Sequence, residues 1–246
     1  MDDKRFEEIR NKVIGVERER YGIGTLKEKT LHAILKDYYA PDKDMQEIPI
    51  DGYVADIYTG TEIIEIQTAQ FNRMRNKLDC FLPNYPVTIV YPVPQIKYLY
   101  WIDEETGECS KPRKSTVKGS VYRAFYELYK IKNHLSDPNL KLCFPLLEIE
   151  EYRLLNGWSH DRKKGSSRYD RIPRTLLGEI RFERIEDYVQ LIPYDLKDPF
   201  TAKDFGKAIG EKKEIASNVL HILNHLQVVE RCGKAGNSYL YHVVEF

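Results

Sequence analysis

The sequence predicts a mixed α/β protein that carries a smaller helical unit near its C-terminal end. Three observations support this fold class. Helical and strand periodicities alternate over residues 3–135 in the order α-β-β-α-β-β-α. The apolar run YPVTIVYPV, residues 85–93, is typical of a strand that is buried on both faces. Two short helical patterns followed by a pair of strands occupy residues 198–246. We therefore expect a mixed sheet with helices packed against it.

Two helices are predicted before the first strand. Residues 3–20 place apolar side chains at helical spacing, and YGIGT interrupts the pattern. Thr25 then precedes the run LKEKTLHAILKDYY, and Glu28 stands three residues after Thr25. That spacing is typical of a capping box at the start of a helix, which ends before Pro41.

The central part of the chain alternates between strands and helices. The turn that joins its first two strands is expected near Thr59 and Gly60, and Ser120 is expected to cap its last helix. The predicted elements are strands over 47–58 and 61–68, a helix over 70–81, the buried strand over 85–93, a hairpin over 97–111 that turns at Thr106 and Gly107, and a helix over 121–135.

A break in this pattern suggests how the chain is divided. The stretch LNGWSHDRKKGSSRYDRIPR, residues 155–174, combines Gly, Ser and a run of charges, which favours a linker or an ordered loop. We expect an α/β domain over residues 1–157, a basic connecting segment over 158–197, and a separate domain over 198–246.

Composition excludes several classes of protein. With 38 basic and 38 acidic residues, no global field attracts nucleic acid or membrane, so local patches would have to hold such partners. The four cysteines form no CxxC pair, and the six histidines complete no zinc spacing, which favours reduced thiols inside a cell. The N-terminus lacks an apolar signal segment, and no apolar run is long enough to cross a bilayer. We expect a cytoplasmic protein without a membrane partner.

Three polar residues interrupt the first two strands. Asp56, Glu65 and Gln67 lie among apolar neighbours, and Glu65 and Gln67 share one face because strand side chains alternate. If the register sets Asp56 opposite Glu65, the two carboxylates repel each other unless a cation lies between them. Hard oxygen ligands select Mg²⁺ or Mn²⁺ over zinc. The alternative is a solvated edge face with no metal.

At these residues the chain resembles the PD-(D/E)XK nuclease superfamily. VADI supplies Asp56, IEIQ supplies Glu65 and Gln67, and TLKEKTL supplies Glu28, in the family's order of helix, strand, strand, helix, strand. The resemblance implies that Asp56, Glu65 and the carbonyl of Ile66 hold the metal. It also implies that Gln67 occupies the position of the family's lysine and orients water or contacts the phosphate, while Glu28 positions the site or binds the metal indirectly.

Two departures from the family pattern bear on activity. No proline precedes Asp56, and Gln67 stands where the family has lysine. An amide cannot donate positive charge to a developing anion. A lysine supplied from elsewhere, Lys77 or Lys97, could replace it. Otherwise the fold would no longer cleave DNA. His32 is expected to serve packing rather than chemistry.

Residues 198–246 resemble winged-helix domains, with two helices followed by a hairpin. In the second helix, Ile215, Val219, Ile222, Leu223 and Leu226 form the core stripe. Such a helix presents its N-terminal side chains to the major groove. A face that mediates protein contacts is the alternative, because DNA contact does not follow from the fold. The side chains expected to contact DNA are Lys212, Lys213, Ser217, Asn218 and His221, with Lys234 in the wing.

Two basic runs are further candidates for contact with phosphates. KPRKSTVK, residues 111–118, has four positive charges, and RKKGSSRYDRIPR, residues 162–174, has six positive charges and one negative. Basic and small hydroxyl residues suit phosphate contact, although solvated loops have similar compositions. The DNA-binding residues expected here are Lys111, Arg113, Lys114, Arg162, Lys163, Lys164 and Arg168.

The resulting hypothesis is an enzyme that hydrolyses phosphodiester bonds of DNA, expected to be duplex, with Mg²⁺ or Mn²⁺, while a winged helix grips the substrate. Nucleases of this fold often act as homodimers, so a homodimer is a further expectation. The main alternative is a DNA-binding or regulatory protein with a degenerate nuclease fold. A third is a protein in which both parts serve protein assembly.

Overall fold

The computed structural model of the protein describes residues 3–21, 30–158 and 164–246. The described residues form two sheets and six α-helices. The helices are α1 Asp3–Tyr21, α2 Thr30–Tyr39, α3 Arg75–Phe81, α4 Val121–Leu128, α5 Ala202–Ala208 and α6 Lys213–His225. None of these helices is long and apolar enough to cross a membrane.

The larger sheet contains the strands that the sequence predicts for the central part of the chain. Its path is β1-β2-β3-β4-β7-β5-β6, and β8 pairs with β7 outside this path. These strands are β1 Gln46–Ile50, β2 Tyr53–Tyr58, β3 Ile63–Ile66, β4 Val87–Val90, β5 Val93–Asp103, β6 Arg113–Lys114, β7 Leu140–Trp158 and β8 Lys164–Phe182. Strands β1 to β3 run antiparallel, whereas β3, β4, β7 and β5 run parallel. The predicted mixed α/β class is therefore confirmed.

The two faces of the sheet bury different helices. Ile63 belongs to a core shared with α3 and α4, whereas Ile64 and Ile66 belong to a second core shared with α1 and α2. All four residues of β3 and of β4 are buried, as expected for strands covered on both sides. Glu65 is thus a charged residue in the interior of the protein, and it is 1% exposed.

The first predicted strand, 47–58, is a hairpin rather than one strand. Asp51 and Gly52 separate β1 from β2, with φ of 48° and 84°. Left-handed conformations at both central residues are characteristic of the type I′ turn, which favours Asp-Gly. The prediction missed this turn, although the Asp-Gly signal was visible.

The segment expected to be a connecting loop, 158–197, belongs largely to the sheet. Residues 164–182 form β8, which pairs antiparallel with β7, and Ile185–Leu191 form a 3₁₀ helix. The prediction of a loop was wrong because the charged side chains of β8 have their partners on β7, far away along the chain. Arg171 and Arg174 contact glutamates of β7, and such cross-strand pairs stabilise a solvated strand.

The C-terminal residues form a smaller sheet, and helix α6 packs against α4. The path of this sheet is β10-β11-β9, formed by β9 Phe200–Thr201, β10 Val229–Ala235 and β11 Ser238–Val243. Thr201 caps α5 with Asp204 in a capping box. The predicted stripe of α6 is buried at Val219, Ile222 and Leu223, in the same core as α4. The two predicted domains therefore share one hydrophobic core.

Candidate functional site

Asp56 and Glu65 lie where strands β2 and β3 separate. The two strands pair only at Ile57–Ile64 and Tyr58–Ile63, and continuation of this register would set Asp56 opposite Glu65. At that position, hydrogen bonds to the two carboxylate side chains replace the backbone hydrogen bonds between the strands. The backbone N–H of Ile66 donates to Asp56 Oδ2 over 2.8 Å, and that of Asp56 donates to Glu65 Oε1 over 3.3 Å. The expected juxtaposition of the two carboxylates is present.

We call the point where β2 and β3 separate, at Asp56 and Glu65, the fork. Strand β4 pairs with the other edge of β3. Glu65 and Ile66 pair in parallel with Ile89 and Val90, and the backbone N–H of Gln67 donates to the carbonyl of Val90 over 2.9 Å. The end of β3 is therefore fixed while β2 diverges from it.

Lys77 of α3 completes the buried side of the fork. Its Nζ lies 2.6 Å from Glu65 Oε2 and 2.6 Å from the carbonyl oxygen of Val54. Of the two lysines considered as substitutes for Gln67, Lys77 contacts the predicted site. Lys97 instead lies 3.7 Å from Glu151. Gln67 follows the end of β3 and is half-buried.

His32 of α2 lies on the other side of the fork. Its Nε2 is 3.3 Å from Asp56 Oδ2 and 3.1 Å from the carbonyl oxygen of Ile66. His32, which was expected to serve packing, lies against the candidate site. No local sequence pattern predicts this contact, because it depends on how α2 crosses the sheet. Glu28, the other candidate before β1, lies outside the described residues.

The two carboxylates have opposite electrostatic environments. Burial disfavours ionisation of Asp56, but the hydrogen bond and charge of His32, the N–H of Ile66 and the charge of Lys77 together outweigh it and lower the pKa of Asp56. Burial, together with the charge of Asp56, raises the pKa of Glu65 to about 7, although Lys77 opposes this. The site therefore holds one ionised carboxylate and one that exchanges a proton near neutral pH.

The donor chemistry suits a hard divalent cation. Asp56, Glu65 and the carbonyl of Ile66 are oxygen donors of the kind that Mg²⁺ and Mn²⁺ prefer. A cation would also relieve the repulsion that raises the pKa of Glu65. Within the described ranges, no three His, Cys, Asp or Glu side chains are grouped to hold a metal. A third protein ligand would thus come from the backbone carbonyl of Ile66.

A cleft of about 320 Å³ opens beside His32, between α2 and β8. Thr68, which follows β3, also lines it. On the β8 side, Arg168 and Arg171 contribute positive charge, and Asp170 between them contributes a negative charge. The candidate carboxylates therefore have next to them a concave surface that carries two arginines and one aspartate.

The predicted DNA-binding residues of the basic runs are distributed along the sheet. Arg113 and Lys114 are exposed on the short strand β6, Lys111 is exposed just before it, and Arg168 is exposed on β8. Lys164 begins β8. Arg162 and Lys163 lie outside the described residues.

The predicted DNA-binding residues of α6 have unequal exposure. Lys212, Lys213 and Ser217 are exposed, as is Lys234 on β10. Asn218 and His221 are half-buried. The His221 ring lies 5.4 Å from that of Tyr129, and in the described part of the chain the Nδ2 of Asn218 is buried without a hydrogen-bond partner. Contact of this helix with DNA stays a prediction.

Comparison with known proteins places the site within a family. A protein of Treponema pallidum (strain Nichols), described as uncharacterized, is 32% identical over 148 residues. The match covers 60% of this chain and 56% of that protein, so the chain spans little more than half of its relative. No solved structure matches the chain. A family model described as "Domain of unknown function (DUF8091)" matches residues 29–183, which include His32, Asp56, Glu65 and Lys77. The chain belongs to this DUF8091 family.

Proposed function

We propose that this protein is a metal-dependent nuclease that hydrolyses phosphodiester bonds of DNA. The observation that carries the proposal is the fork between β2 and β3. There, Asp56 and Glu65 face each other, and an ammonium group lies 2.6 Å from the buried carboxylate. The arrangement of β1 to β4 and α3 around this fork agrees with the PD-(D/E)XK resemblance.

In this proposal Asp56, Glu65 and the carbonyl of Ile66 hold Mg²⁺ or Mn²⁺. When bound, the cation supplies Lewis-acid stabilisation of charge on the phosphodiester. The protein holds the Asp56 carboxylate in place through the N–H of Ile66. His32, at 3.3 Å from the same carboxylate, keeps Asp56 ionised and orients it.

Lys77 takes the role that the family gives to the lysine at the position of Gln67. Its Nζ contacts Glu65, as a lysine two residues further along the strand would be expected to do. The positive charge is therefore supplied from helix α3 instead of strand β3. Such a charge stabilises the anion that develops during phosphodiester cleavage. Gln67 then contributes at most a hydrogen bond.

The C-terminal unit would grip duplex DNA. The order β9-α5-α6-β10-β11 and the antiparallel pairing of its strands support assignment as a winged helix. Exposed Lys212, Lys213 and Ser217 begin α6, which is the end that such domains present to the groove. The family match ends at residue 183, so this unit is an addition to the family's domain.

Cleavage of supercoiled plasmid DNA tests the proposal. Wild type should relax or linearise the plasmid with Mg²⁺ or Mn²⁺ and not with EDTA, and Asp56→Asn should abolish cleavage. Glu62→Gln is the matched control, because Glu62 lies just before β3 and bonds to the hydroxyl of Thr88 outside the fork. Equal cleavage by wild type and Asp56→Asn would refute the assignment of the site.

One observation favours a second candidate, a non-catalytic DNA-binding protein with a degenerate nuclease fold. His32 lies between Asp56 and the carbonyl of Ile66, and Lys77 pairs with Glu65, so both carboxylates have a basic partner without a metal. Such a protein would bind DNA equally well with and without Mg²⁺ and leave it intact. The plasmid assay, run beside a binding assay, separates the two functions.

A further inference from the structure

A second cluster of charges surrounds Glu151 on strand β7. The Glu151 side chain is 1% exposed, and basic groups of three strands approach its two oxygens. The distances to the carboxylate are 2.8 Å for Arg153 Nε, 3.4 Å for Arg171 Nε, 3.7 Å for Lys97 Nζ and 3.8 Å for Arg168 Nε. We call these five residues the Glu151 cluster.

The charges of the Glu151 cluster do not balance. Burial disfavours ionisation of Glu151, but the hydrogen bond from Arg153 and the charges of its other basic neighbours lower its pKa, so the carboxylate is ionised. Four positive groups and one negative group give the Glu151 cluster a net charge of +3. Among the described residues, Glu151 Oε2 and Arg171 Nε are buried without a hydrogen bond.

The cluster lies between two concave surfaces. Arg168 and Arg171 line the cleft that also contains His32 of the candidate site. Lys97 lines a second hollow, of about 170 Å³, together with Lys118 and with Ser120, the N-cap of α4. The excess positive charge therefore extends from the cleft beside the carboxylate fork to the start of α4.

On the opposite face of the same strands, the carboxylates outnumber the cations. Arg174 of β8 contacts Glu148 at 3.3 Å and Glu150 at 3.6 Å, so one arginine has two carboxylates. Glu150 and Glu151 are adjacent in β7 and project from opposite faces. Cross-strand pairing alone thus explains Arg174. It does not explain four cations around one carboxylate.

We propose that the Glu151 cluster is a phosphate-binding site that holds the backbone of the nucleic acid beside the fork. The assignment of a polynucleotide as ligand rests on the proposed function. Glu151 organises the cations and is too buried to meet the substrate. Arg168, 46% exposed, and Lys97, 22% exposed, are beyond hydrogen-bonding distance of Glu151 and retain donors for phosphate oxygens. A backbone bound there runs from the second hollow into the cleft.

Salt-dependent binding tests this proposal without any cleavage. Fluorescence anisotropy would follow a labelled DNA duplex and an RNA duplex of the same sequence, in EDTA, over about 50–200 mM KCl. Arg168→Ala should weaken binding roughly tenfold and reduce the salt slope by about 0.9, since it removes one phosphate contact. Lys97→Ala combined with Arg168→Ala should reduce the slope by about 1.8.

Arg174→Ala is the matched control, because it removes a similarly exposed arginine of the same strand from the opposite face, where two carboxylates pair with it. It should leave the salt slope unchanged. Thermal melting of each variant confirms folding. Preference for one duplex identifies the source of the phosphates, and either preference supports the site.

Equal effects of Arg168→Ala and Arg174→Ala, or no binding of either duplex by wild type, would overturn the proposal. The outcome is independent of the metal site. The salt slope is measured in EDTA without cleavage, so loss of cleavage in Asp56→Asn and loss of the phosphate site in Arg168→Ala give different results.

Discussion

The Nζ of Lys77 lies 2.6 Å from Glu65 Oε2, so helix α3 supplies the counter-charge of a carboxylate that is 1% exposed. Glu65 and Lys77 are twelve residues apart and meet only because α3 packs across β3. In the proposed function, this pair supplies the positive charge that a lysine at position 67 would provide.

Lys77, and not Gln67, should be required for cleavage. Lys77→Met removes the positive charge beside Glu65 and should reduce the cleavage rate by about 10²-fold or more, whereas Gln67→Ala should change it by less than about tenfold. Plasmid cleavage measured under single-turnover conditions checks both. Lys77→Arg should retain part of the activity. A larger loss in Gln67→Ala than in Lys77→Met would return the lysine role to position 67.

Glu65 should make the protein less stable as pH rises. The folded state raises the pKa of this carboxyl from 4.5 to about 7, so between these values the folded protein binds more protons than the unfolded chain. The free energy of unfolding therefore falls with rising pH across this window, by on the order of 3 kcal/mol from Glu65. Urea denaturation at pH 5 and pH 7.5 measures the change.

Glu65→Gln should remove this contribution, since glutamine does not titrate. The difference in unfolding free energy between wild type and Glu65→Gln should therefore depend on pH, shifting against wild type as pH rises. Parallel stability curves for the two proteins would show that Glu65 has an ordinary pKa and would argue against its burial beside Asp56.

His32 should control the ionisation of Asp56. Its hydrogen bond and charge lower the pKa of Asp56 against the effect of burial, so His32→Ala should raise that pKa. Carboxyl carbon chemical shifts followed by NMR during a pH titration report this directly. His134→Ala is the control, because His134 pairs with Asp79 at 2.7 Å, outside the fork. An unchanged Asp56 titration in His32→Ala would place His32 away from the site.

A side chain at Gly52 should destabilise the turn between β1 and β2. Its φ of 84° is strained for any residue with a Cβ, although a Cβ there would meet open space. Gly52→Ala should therefore lower the free energy of unfolding by about 1 kcal/mol or more. Gly15→Ala in helix α1 is the contrast and should raise it by up to about 1 kcal/mol. A neutral Gly52→Ala would contradict the hairpin.

Parity allowed the position of the carboxylates to be predicted only if the register set Asp56 opposite Glu65, and continuation of the observed register does so. The run over 85–93 predicts a strand buried on both faces, as β4 is, but not that this strand pairs with β3. The Asp51–Gly52 turn could also have been predicted, because Asp-Gly between apolar residues is a strong hairpin signal.

The contacts of Lys77 and His32 could not be predicted in the same way. Both depend on how a helix crosses the sheet, which no local pattern specifies. Strand β8 was missed for a different reason. Its arginines, read along the chain, are typical of a loop, and their partner glutamates lie on β7.

Calorimetric titration with Mn²⁺ tests the central claim most directly. Wild type should bind the ion, and the double variant Asp56→Ala, Glu65→Ala should not, while Glu62→Gln should bind as wild type does. The titration should be run with and without a DNA duplex bound, because phosphate oxygens can complete the coordination of such an ion. Binding that is lost only in the double variant is the result expected from a metal centre at the fork. No binding by wild type under either condition, or equal binding by the double variant, would contradict it.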